Sequence, residues 1–337
     1  MKRPSLSLAI LVLWASPALA QTPVVPRAEE KTGALMIDAA RRFLGTLDAD
    51  LRAKASFALD DPERQNWHWI PRPRKGVSIK EMTHYQRPLA FALLDTGLSG
   101  AGSVAAATTM SYEEIIRIQE NESGRIRDPE LYYVSVFGTP GEGRWGWRWE
   151  GHHLSLNYTL DGDEIVSVTP FMFGSNPAKV VSGPNEGLRS LAAIQDPIYK
   201  LLASLSPGQK EVAILSERVP KIPSSPNDAV AQPLPAGKDG LAYDDMTEEQ
   251  RALLRAAGAA YLEMFPEAGR EVLMDGLRRG EGRRTFAWYG TTDTTKPHAF
   301  RLQGPSILID FNNEQDGGNH IHTFFRDLSE DFGSPAK

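Results

Sequence analysis

Two segments of the sequence resemble each other, and this similarity limits the possible folds more than any other feature. Residues 76–87 read GVSIKEMTHYQR, and residues 240–251, which lie 164 positions further along, read GLAYDDMTEEQR. Both contain M-T-x-x-Q-R, in which the threonine can cap a helix while the glutamine reaches back to the cap. Thr83 with Gln86, and Thr247 with Gln250, therefore predict two equivalent helix starts.

Two further matches follow the same order along the chain. Residues 148–158 (RWEGHHLSLNY) align with residues 301–311 (RLQGPSILIDF), 153 positions away, and FLGTLDADLR upstream resembles LLASLSPGQK. Collinear matches at similar spacing are the signature of an internal repeat. The sequence therefore predicts a tandem duplication, with a first repeat at 34–184 and a second at 185–333. We expect the two to pack as one pseudo-symmetric globular unit.

Each predicted repeat contains the same series of elements. A helix (34–58 or 186–218) is followed by a proline-rich connection, and then by helices that are broken at LSGAGS in the first repeat and at Pro266 in the second. Three runs of alternating apolar residues complete each repeat, which is typical of an antiparallel β-meander. Helices followed by strands indicate the α+β class, here as a tandem duplication of a helical segment followed by an antiparallel β-meander.

The first twenty residues predict export. MKRPSLSLAILVLWASPALA has a basic start, a short apolar stretch and small residues at its end, so residues 1–20 are expected to be a signal peptide, cleaved after Ala20. Residues 21–33 then form a flexible leader. No later segment approaches the roughly twenty apolar residues that a membrane span requires. We therefore expect a soluble periplasmic or secreted protein without a membrane span.

Composition excludes several classes of function. The chain has no cysteine, which rules out disulfides, thiolate metal sites and a cysteine nucleophile. Any metal site must use histidine, carboxylate, amide or backbone oxygen ligands. The net charge of −6 is mild and no basic stripe is present, so no nucleic-acid partner is expected. G-x-S-x-G, P-loop and H-E-x-x-H motifs are also missing.

Two adjacent histidines interrupt the long β-rich run of the first repeat. If side chains alternate across residues 145–158 as in one strand, His153 shares a face with the tryptophans and Asn157. His152 then faces the core together with the leucines. A bulge at Gly151 would reverse this assignment. The alternation favours His153 over His152 as a residue that faces a ligand.

The second repeat carries a His-x-His pair, His320 and His322, on one face of a strand. Two imidazoles at this spacing can point at one ion, and His153 from the first repeat could supply a third. Asp310 or Glu314 could complete such a site with a carboxylate. The sequence thus predicts His153, His320 and His322 as metal ligands and, with Asp310, as catalytic residues. The expected cofactor is a divalent transition metal: zinc, copper or iron.

Further side chains are candidates for binding a substrate, which is either a small molecule or a polymer. The aromatic candidates form either a binding platform or part of the core, and strand histidines also occur as ordinary hydrogen-bonding residues. Asn176 either binds a ligand or forms a turn, and His298 is a weaker site candidate. His68 is expected in an aromatic cluster, and His84 in solvent. The substrate-binding candidates are His152, Asn157, Arg326, Trp147 and Trp149.

Ordered motifs across residues 35–333 resemble a known family. W-x-W-x-P, RKGVSIKEMT-x-x-QR, W-x-W-EGHHLSLN, F-GSNPA, GP-x-x-GLR, QGP-x-x-LID-x-N and NHIH-x-x-x-RD follow one another along the chain. This set is similar to the bacterial and fungal domain-of-unknown-function 3500 family, which carries no established activity to transfer. The resemblance implies that EGHHLSLN (150–157) and NHIH-x-x-x-RD (319–327) are family hallmarks, and hence the first places to look for a site.

Three functional hypotheses follow from these patterns. The first is an exported metal-dependent hydrolase, whose histidine-rich site lies where the two meanders approach. The second is a non-catalytic periplasmic ligand-binding protein, in which an aromatic face holds the ligand. The third is a copper or non-haem iron redox enzyme, because a thiol-free histidine site also suits those metals. The sequence leaves the substrate and the reaction open.

Overall fold

The computed structural model describes residues 31–120, 126–183, 185–220, 233–279 and 282–333. The predicted signal peptide and most of the predicted leader lie outside these residues, as does most of the second proline-rich connection. The described residues belong to one unit that begins at Lys31. Its first helix begins at Thr32, two residues before the predicted start of the first repeat.

Eight α-helices occur in the described part of the chain. The helix predicted over 34–58 is two helices, because the Asp48 side chain caps a new helix by accepting from the Leu51 N–H at 2.9 Å. Ser206 likewise divides the helix predicted over 186–218. The helices are α1 Thr32–Thr46, α2 Ala49–Ala55, α3 Gln86–Thr96, α4 Gly100–Gln119, α5 Ala192–Ser204, α6 Pro207–Ala213, α7 Glu248–Leu262 and α8 Glu267–Arg278.

The two M-T-x-x-Q-R segments form the predicted capping contacts. In both, the threonine N–H donates to the glutamine Oε1 at 2.9 Å, and the glutamine N–H donates to the threonine Oγ1 at 3.3 Å. The glutamine side chains also reach the carbonyl of the last residue of the preceding long helix. Gln86 Nε2 donates to the end of α1 at 2.9 Å, and Gln250 Nε2 to the end of α5 at 3.0 Å. The motif therefore ties two helices together besides starting one.

Thirteen strands in the described residues form one sheet. Short strands make up its periphery, while the strands that follow the helical segments are longer. The strands are β1 Ser56–Phe57, β2 Val77–Ser78, β3 Tyr133–Phe137, β4 Arg144–Gly151, β5 Leu154–Asp161, β6 Glu164–Ser167, β7 Phe171–Ser175, β8 Ile214–Ser216, β9 Leu241–Ala242, β10 Thr285–Gly290, β11 His298–Gln303, β12 Ile307–Gln315 and β13 His320–Asp327.

The sheet order is β1-β3-β4-β5-β7-β13-β12-β11-β10-β8, with β2 on β3, β6 on β5 and β9 on β10. All pairs are antiparallel except β1 with β3 and β8 with β10, which are parallel. The strands of each predicted meander lie on one side of the central pair, in which β7 runs antiparallel to β13. The α+β class is confirmed, with a mostly antiparallel sheet.

The two faces of the sheet differ in chemistry. One face carries large apolar side chains such as Trp147, Leu156 and Phe325, which join the helices in the main hydrophobic core. Residues that alternate with these, including Arg148 and Asn157, point to the other face. A smaller apolar cluster packs on that second face and contains Trp67, Trp69, Met172, Phe324 and Phe332. Polar groups are thus buried between the sheet and the covering segment near residues 61–74.

The chain reverses at the paired histidines, so the prediction of one continuous alternation through residues 145–158 is wrong. Strands β4 and β5 form a hairpin. Gly151 at the end of β4 pairs with Leu154 at the start of β5, and the two histidines are the turn between them. Residues that pair directly across a hairpin point to the same face of the sheet. Trp149 pairs with Leu156, so the tryptophans of β4 share a face with the leucines of β5 instead of facing away from them. The glycine marks the end of β4, where the sequence had suggested a bulge.

Candidate metal centre

His152 and His153 form the turn of the β4–β5 hairpin. His153 has a φ of 60°, in the left-handed region that non-glycine residues rarely adopt. Its N–H donates to the Trp69 carbonyl at 3.0 Å, and its own carbonyl accepts from the Gly174 N–H at 2.7 Å. Gly174 is required here, because a Cβ at this position would lie 2.8 Å from the His153 ring. The imidazole of His153 therefore packs against Gly174 of β7, the strand that pairs with β13.

Three histidines converge at this point, and they are the three named from the sequence. His153 comes from the hairpin turn, while His320 and His322 project from the same face of β13. One nitrogen from each ring lies within 4.8 Å of the other two, and the Nε2 atoms of His153 and His320 are 2.9 Å apart. All three are buried, with exposed fractions of 2, 9 and 4%. Because β7 pairs with β13, the two halves of the chain contribute to one cluster.

Burial keeps these imidazoles neutral. Desolvation holds the pKa of His153 and of His322 well below its usual range, and the charge that neighbouring histidines would carry adds to the effect. Burial also lowers the pKa of His320, although the nearby Asp316 carboxylate opposes it. At neutral pH the cluster therefore presents unprotonated nitrogens, which is the form that binds a metal ion.

Asp316 orients one of the rings. The Nδ1 of His320 lies 2.8 Å from the Asp316 carboxylate, with the Asn176 amide 3.2 Å from the same nitrogen. The carboxylate accepts only and is closer to Nδ1 than the amide nitrogen is, so Nδ1 carries the proton and donates to Asp316. The lone pair of His320 is then on Nε2, which faces His153. A carboxylate that fixes the tautomer of a histidine in this way is the usual outer partner of a metal ligand.

One nitrogen of the cluster has no partner. Among the described residues, the Nδ1 atom of His322 is buried and makes no hydrogen bond. Most buried polar atoms do find a partner, so an unpartnered nitrogen on one of three converging histidines fits a site that holds a ligand. A metal ion bound by the cluster would supply one. The donor set, three neutral imidazoles without a thiolate, suits zinc, copper or iron.

A second titratable pair adjoins the cluster. The ring of His152 stacks on that of His153 with centroids 3.7 Å apart, and its Nδ1 is hydrogen-bonded to Glu113 of α4. Burial raises the pKa of Glu113 to about 8, and burial beside Arg127 holds the pKa of His152 well below its usual range. At neutral pH the Glu113 carboxyl is therefore largely protonated and donates to the neutral imidazole. The pair can release or accept a proton close to neutrality.

A cavity of about 260 Å³ opens beside this pair. Glu113 and His152 form part of its wall, and the first proline-rich connection forms another part through Arg72 and Arg74. Arg74 is held by Glu150, since its Nε lies 2.8 Å from a carboxylate oxygen. A small substrate in this cavity would contact the side chain that stacks on His153.

Asp310 does not join the histidines. It forms a two-point ion pair with Arg301 on β11, with nitrogen–oxygen distances of 2.6 and 2.8 Å. The group of side chains close enough to share one ion does not include it, nor does it include Glu314. The carboxylate next to the cluster is Asp316 instead. Because both carboxylate oxygens of Asp310 are occupied by the Arg301 guanidinium, Asp310 is poorly suited to act as a metal ligand or a base.

The other sequence candidates lie on different parts of the sheet. Trp147 stacks on Tyr158 at 4.5 Å, and Trp149 packs on Phe91; both tryptophans are in the main core rather than on a binding face. The amide of Asn157 on the opposite face donates to the Pro170 carbonyl at 2.8 Å. These side chains hold the protein together where the sequence had suggested substrate contacts.

Arg326 is also engaged within the protein. Its guanidinium is hydrogen-bonded to Asp331 and lies 5.6 Å from the ring of Trp67. His298 is buried, stacks on Trp288 and contacts the Tyr199 hydroxyl at 2.9 Å. The prediction for His84 is confirmed, since this residue is exposed. His68 is buried, but its ring has polar partners: its Nε2 lies 2.9 Å from the Asn66 Oδ1 and 3.0 Å from Arg72. The aromatic contact in this segment is between the flanking tryptophans.

Three residues near the centre carried too weak a signal in the sequence. Glu113 is one carboxylate in the amphipathic helix α4, and only the fold brings it to His152. Asp316 lies in the DGGN turn before β13, four residues from His320, and that proximity is the one local hint. For Asn176 the sequence allows either a ligand contact or a turn, and the structure places its amide beside His320.

The fold and the site together define an α+β protein with a buried three-histidine centre shared between two sets of strands. The chain belongs to the family described as "Protein of unknown function (DUF3500)", whose profile matches residues 29–334. No curated protein and no solved structure matches the chain. Within the described residues, none of the helices combines the length and apolar character needed to cross a membrane.

Proposed function

We propose that the protein is an exported metal-dependent hydrolase, with His153, His320 and His322 as the metal ligands. One observation carries the proposal: three buried, neutral histidines from two distant parts of the chain place nitrogens within 4.8 Å of one another. Bringing such groups together without a ligand is costly, because each buried nitrogen needs a partner. The unsatisfied Nδ1 of His322 supports the same conclusion.

Three protein ligands are the arrangement of a catalytic rather than a structural metal site. A metal ion held in this way would lower the pKa of a bound water to about 7 and so supply hydroxide at neutral pH. Asp316 stabilises the His320 tautomer in which Nε2 carries the lone pair and can bind the metal ion. His152 and Glu113 sit at the cavity wall and are the groups that can pass a proton to a leaving group, since the pKa of Glu113 is about 8.

Export rests on residues 1–20, whose pattern is that of a signal peptide. A periplasmic or secreted location is consistent with a chain that has no cysteine, because a histidine-only centre does not depend on the redox state of the compartment. The substrate is a small molecule, or the end of a polymer, that fits beside His152.

We also propose that the chain arose by tandem duplication. The order of strands around the β7–β13 pair supports this, because β3-β4-β5 and β10-β11-β12 are ordered alike on either side of it. The parallel strand at each end and the two matching capping contacts support it further. The metal ligands then come from both repeats, and neither repeat holds all three.

The proposal is tested with protein prepared without a histidine tag. The metal-free protein, obtained by chelation, is titrated with Zn²⁺, and the content is measured by mass spectrometry. Hydrolysis of chromogenic esters, phosphoesters and glycosides is then followed. We expect one ion per chain and a metal-dependent hydrolysis. His322→Ala should lose both, whereas His298→Gln, which changes a buried strand histidine outside the cluster, should keep both.

Glu113→Gln separates chemistry from metal binding. It removes the titrating proton while keeping the shape of the side chain, so we expect unchanged zinc content and a kcat at least about tenfold lower. Equal metal binding by the wild type and His322→Ala would contradict the proposed centre. One bound ion without hydrolysis of any substrate would contradict the hydrolase. Redox activity with copper or iron would then favour the third hypothesis, and ligand binding without turnover the second.

A further inference from the structure

The second half of the chain contains a cavity that shares no lining residue with the proposed centre. It lies between α7, α8 and the ends of β11 and β12, and it has a volume of about 370 Å³. Small-molecule sites typically measure about 300–1,000 Å³. Its wall is largely apolar and includes Leu254, Leu262, Met274, Leu277, Ile307 and Ile309, with arginines and Gln303 also in the lining. A space of this kind excludes a polar substrate and suits a hydrocarbon chain.

The first half shows how such a space is normally filled. The capping threonines place Phe91 and Leu94 of α3 at positions equivalent to Arg255 and Gly258 of α7, 164 residues away. Leu94 is 3% exposed, and the Phe91 ring lies 5.2 Å from that of Trp149. The second half thus replaces two apolar side chains with a surface arginine and a glycine.

On the sheet, too, the second half has a smaller side chain where the first half has a larger one. Trp149 of β4 pairs with Leu156, and Leu302 of β11, 153 residues further on, pairs with Ile309. A leucine therefore stands where the first half has a tryptophan. A Cβ built on Gly258 would meet nothing within 4 Å. Interiors are ordinarily packed without voids of this size, so the opening needs an explanation.

A charged side chain marks where the polar end of an occupant would bind. Arg284 lines the cavity and is exposed. Its guanidinium donates to the Leu277 carbonyl at 3.1 Å and is paired with no carboxylate in the described part of the chain. A guanidinium without a carboxylate partner in the described residues thus stands at the edge of a largely apolar space.

We infer that this cavity binds a long-chain carboxylate, with the hydrocarbon chain between α7 and the sheet and the carboxylate at Arg284. An arginine guanidinium forms strong, charge-assisted hydrogen bonds with a carboxylate. The aliphatic wall gains from covering a hydrocarbon chain at about 25 cal/mol per Å² of apolar surface removed from water. This site does not depend on the proposed metal centre.

Binding is tested on the full chain after chelation, by displacement of the fluorescent fatty acid cis-parinarate with palmitate. Gly258→Leu restores the side chain that Leu94 provides in the first half and fills the cavity. We expect it to weaken palmitate binding at least tenfold. Its thermal midpoint should not fall, because leucine favours a helix interior over glycine and the space is open. Gly45→Leu is the matched control: this exposed helix glycine also has open space at its Cβ, and palmitate affinity should not change.

Arg284→Gln tests the proposed headgroup contact. We expect palmitate to bind about threefold to tenfold more weakly, because a charged hydrogen bond is lost, while displacement by hexadecanol stays the same. Wild-type protein that does not bind cis-parinarate, or a Gly258→Leu variant that binds palmitate as well as wild type, would overturn the inference. Association with phosphatidylglycerol vesicles without binding of palmitate would overturn it too.

Discussion

The turn between β4 and β5 and the turn between β11 and β12 each join two antiparallel strands through two residues, and they carry different chemistry. In the first, Gly151 pairs with Leu154 around His152 and His153. In the second, the Gly304 N–H donates to the Ile307 carbonyl at 2.8 Å around a Pro-Ser pair. The two turns lie 153 residues apart in matching segments of sequence.

Both turns also contact the second long helix of their own half. His152 is hydrogen-bonded to Glu113 of α4, and the Ser306 hydroxyl donates to the carbonyl of Gly276 in α8 and to that of Arg279, the latter at 3.0 Å. In the first half the contact is a titratable pair next to a histidine cluster. In the second it is a neutral hydrogen bond next to an aliphatic cavity.

The comparison shows that the backbone sets positions and the side chains set chemistry. The β7–β13 pairing brings His320 and His322 to the first turn only. The second turn has no histidine near it and instead forms part of the cavity wall through Pro305 and Ser306. Three changes test how far this difference depends on single residues.

The largest effect is expected for His153→Ser, which gives the first turn the residue of the second. Loss of an outer partner of a metal ligand costs about 10- to 100-fold in affinity, so loss of a ligand should cost about a thousandfold or more. Competition against a fluorescent zinc chelator measures this. His153→Asn tolerates the left-handed backbone better and should lose the same affinity. Affinity within a few-fold of wild type in both variants would show that His153 is not a ligand.

Leu94→Ala should make the core of the first half resemble that of the second. Removing a buried leucine leaves a cavity, so we expect the free energy of unfolding to fall by about 3 kcal/mol in urea denaturation. Val104→Ala on α4 is the control; this side chain is 67% exposed, and its loss should change stability by less than about 0.5 kcal/mol. An equal loss of unfolding free energy in the two variants would mean that the Leu94 side chain does not fill space in the core of the first half.

The smallest effect concerns the pH dependence of the metal-free protein. Because the folded state depresses the pKa of His153, the unfolded chain binds a proton below about pH 6.5 that the native chain does not. The stability due to this group is present above that pH and is lost as the pH falls, by up to about 1.4 kcal/mol per pH unit. Glu113, with its pKa raised to about 8, contributes in the opposite sense, losing stability as the pH rises.

Comparing variants isolates that contribution. Urea denaturation at pH 7.5 and 5.5 should show a smaller loss on acidification in His153→Ser than in wild type. Ser306→Ala should lower the free energy of unfolding by about 1 kcal/mol, because it deletes a hydrogen bond, and by the same amount at both pH values. A pH dependence in Ser306→Ala that differs from wild type would mean that the two turns are not independent.

Local patterns in the sequence predicted the elements that depend on neighbours along the chain. The capping threonines, the break before Pro266 and the His-x-His face of β13 are examples. The alternation through the paired histidines failed because a two-residue turn and a bulge leave similar marks next to Gly151. Glu113 and the Asp310–Arg301 pair depend on helix position and strand register, which long-range packing decides.

The two ends of the sheet have a consequence for solubility. β1 has two residues and β8 has three, and each is the last strand on its side. A long, flat terminal strand would offer a row of free backbone groups to another chain, and short terminal strands offer few. A sheet this wide therefore presents little template for the addition of a foreign strand, and β-type aggregation would have to start elsewhere.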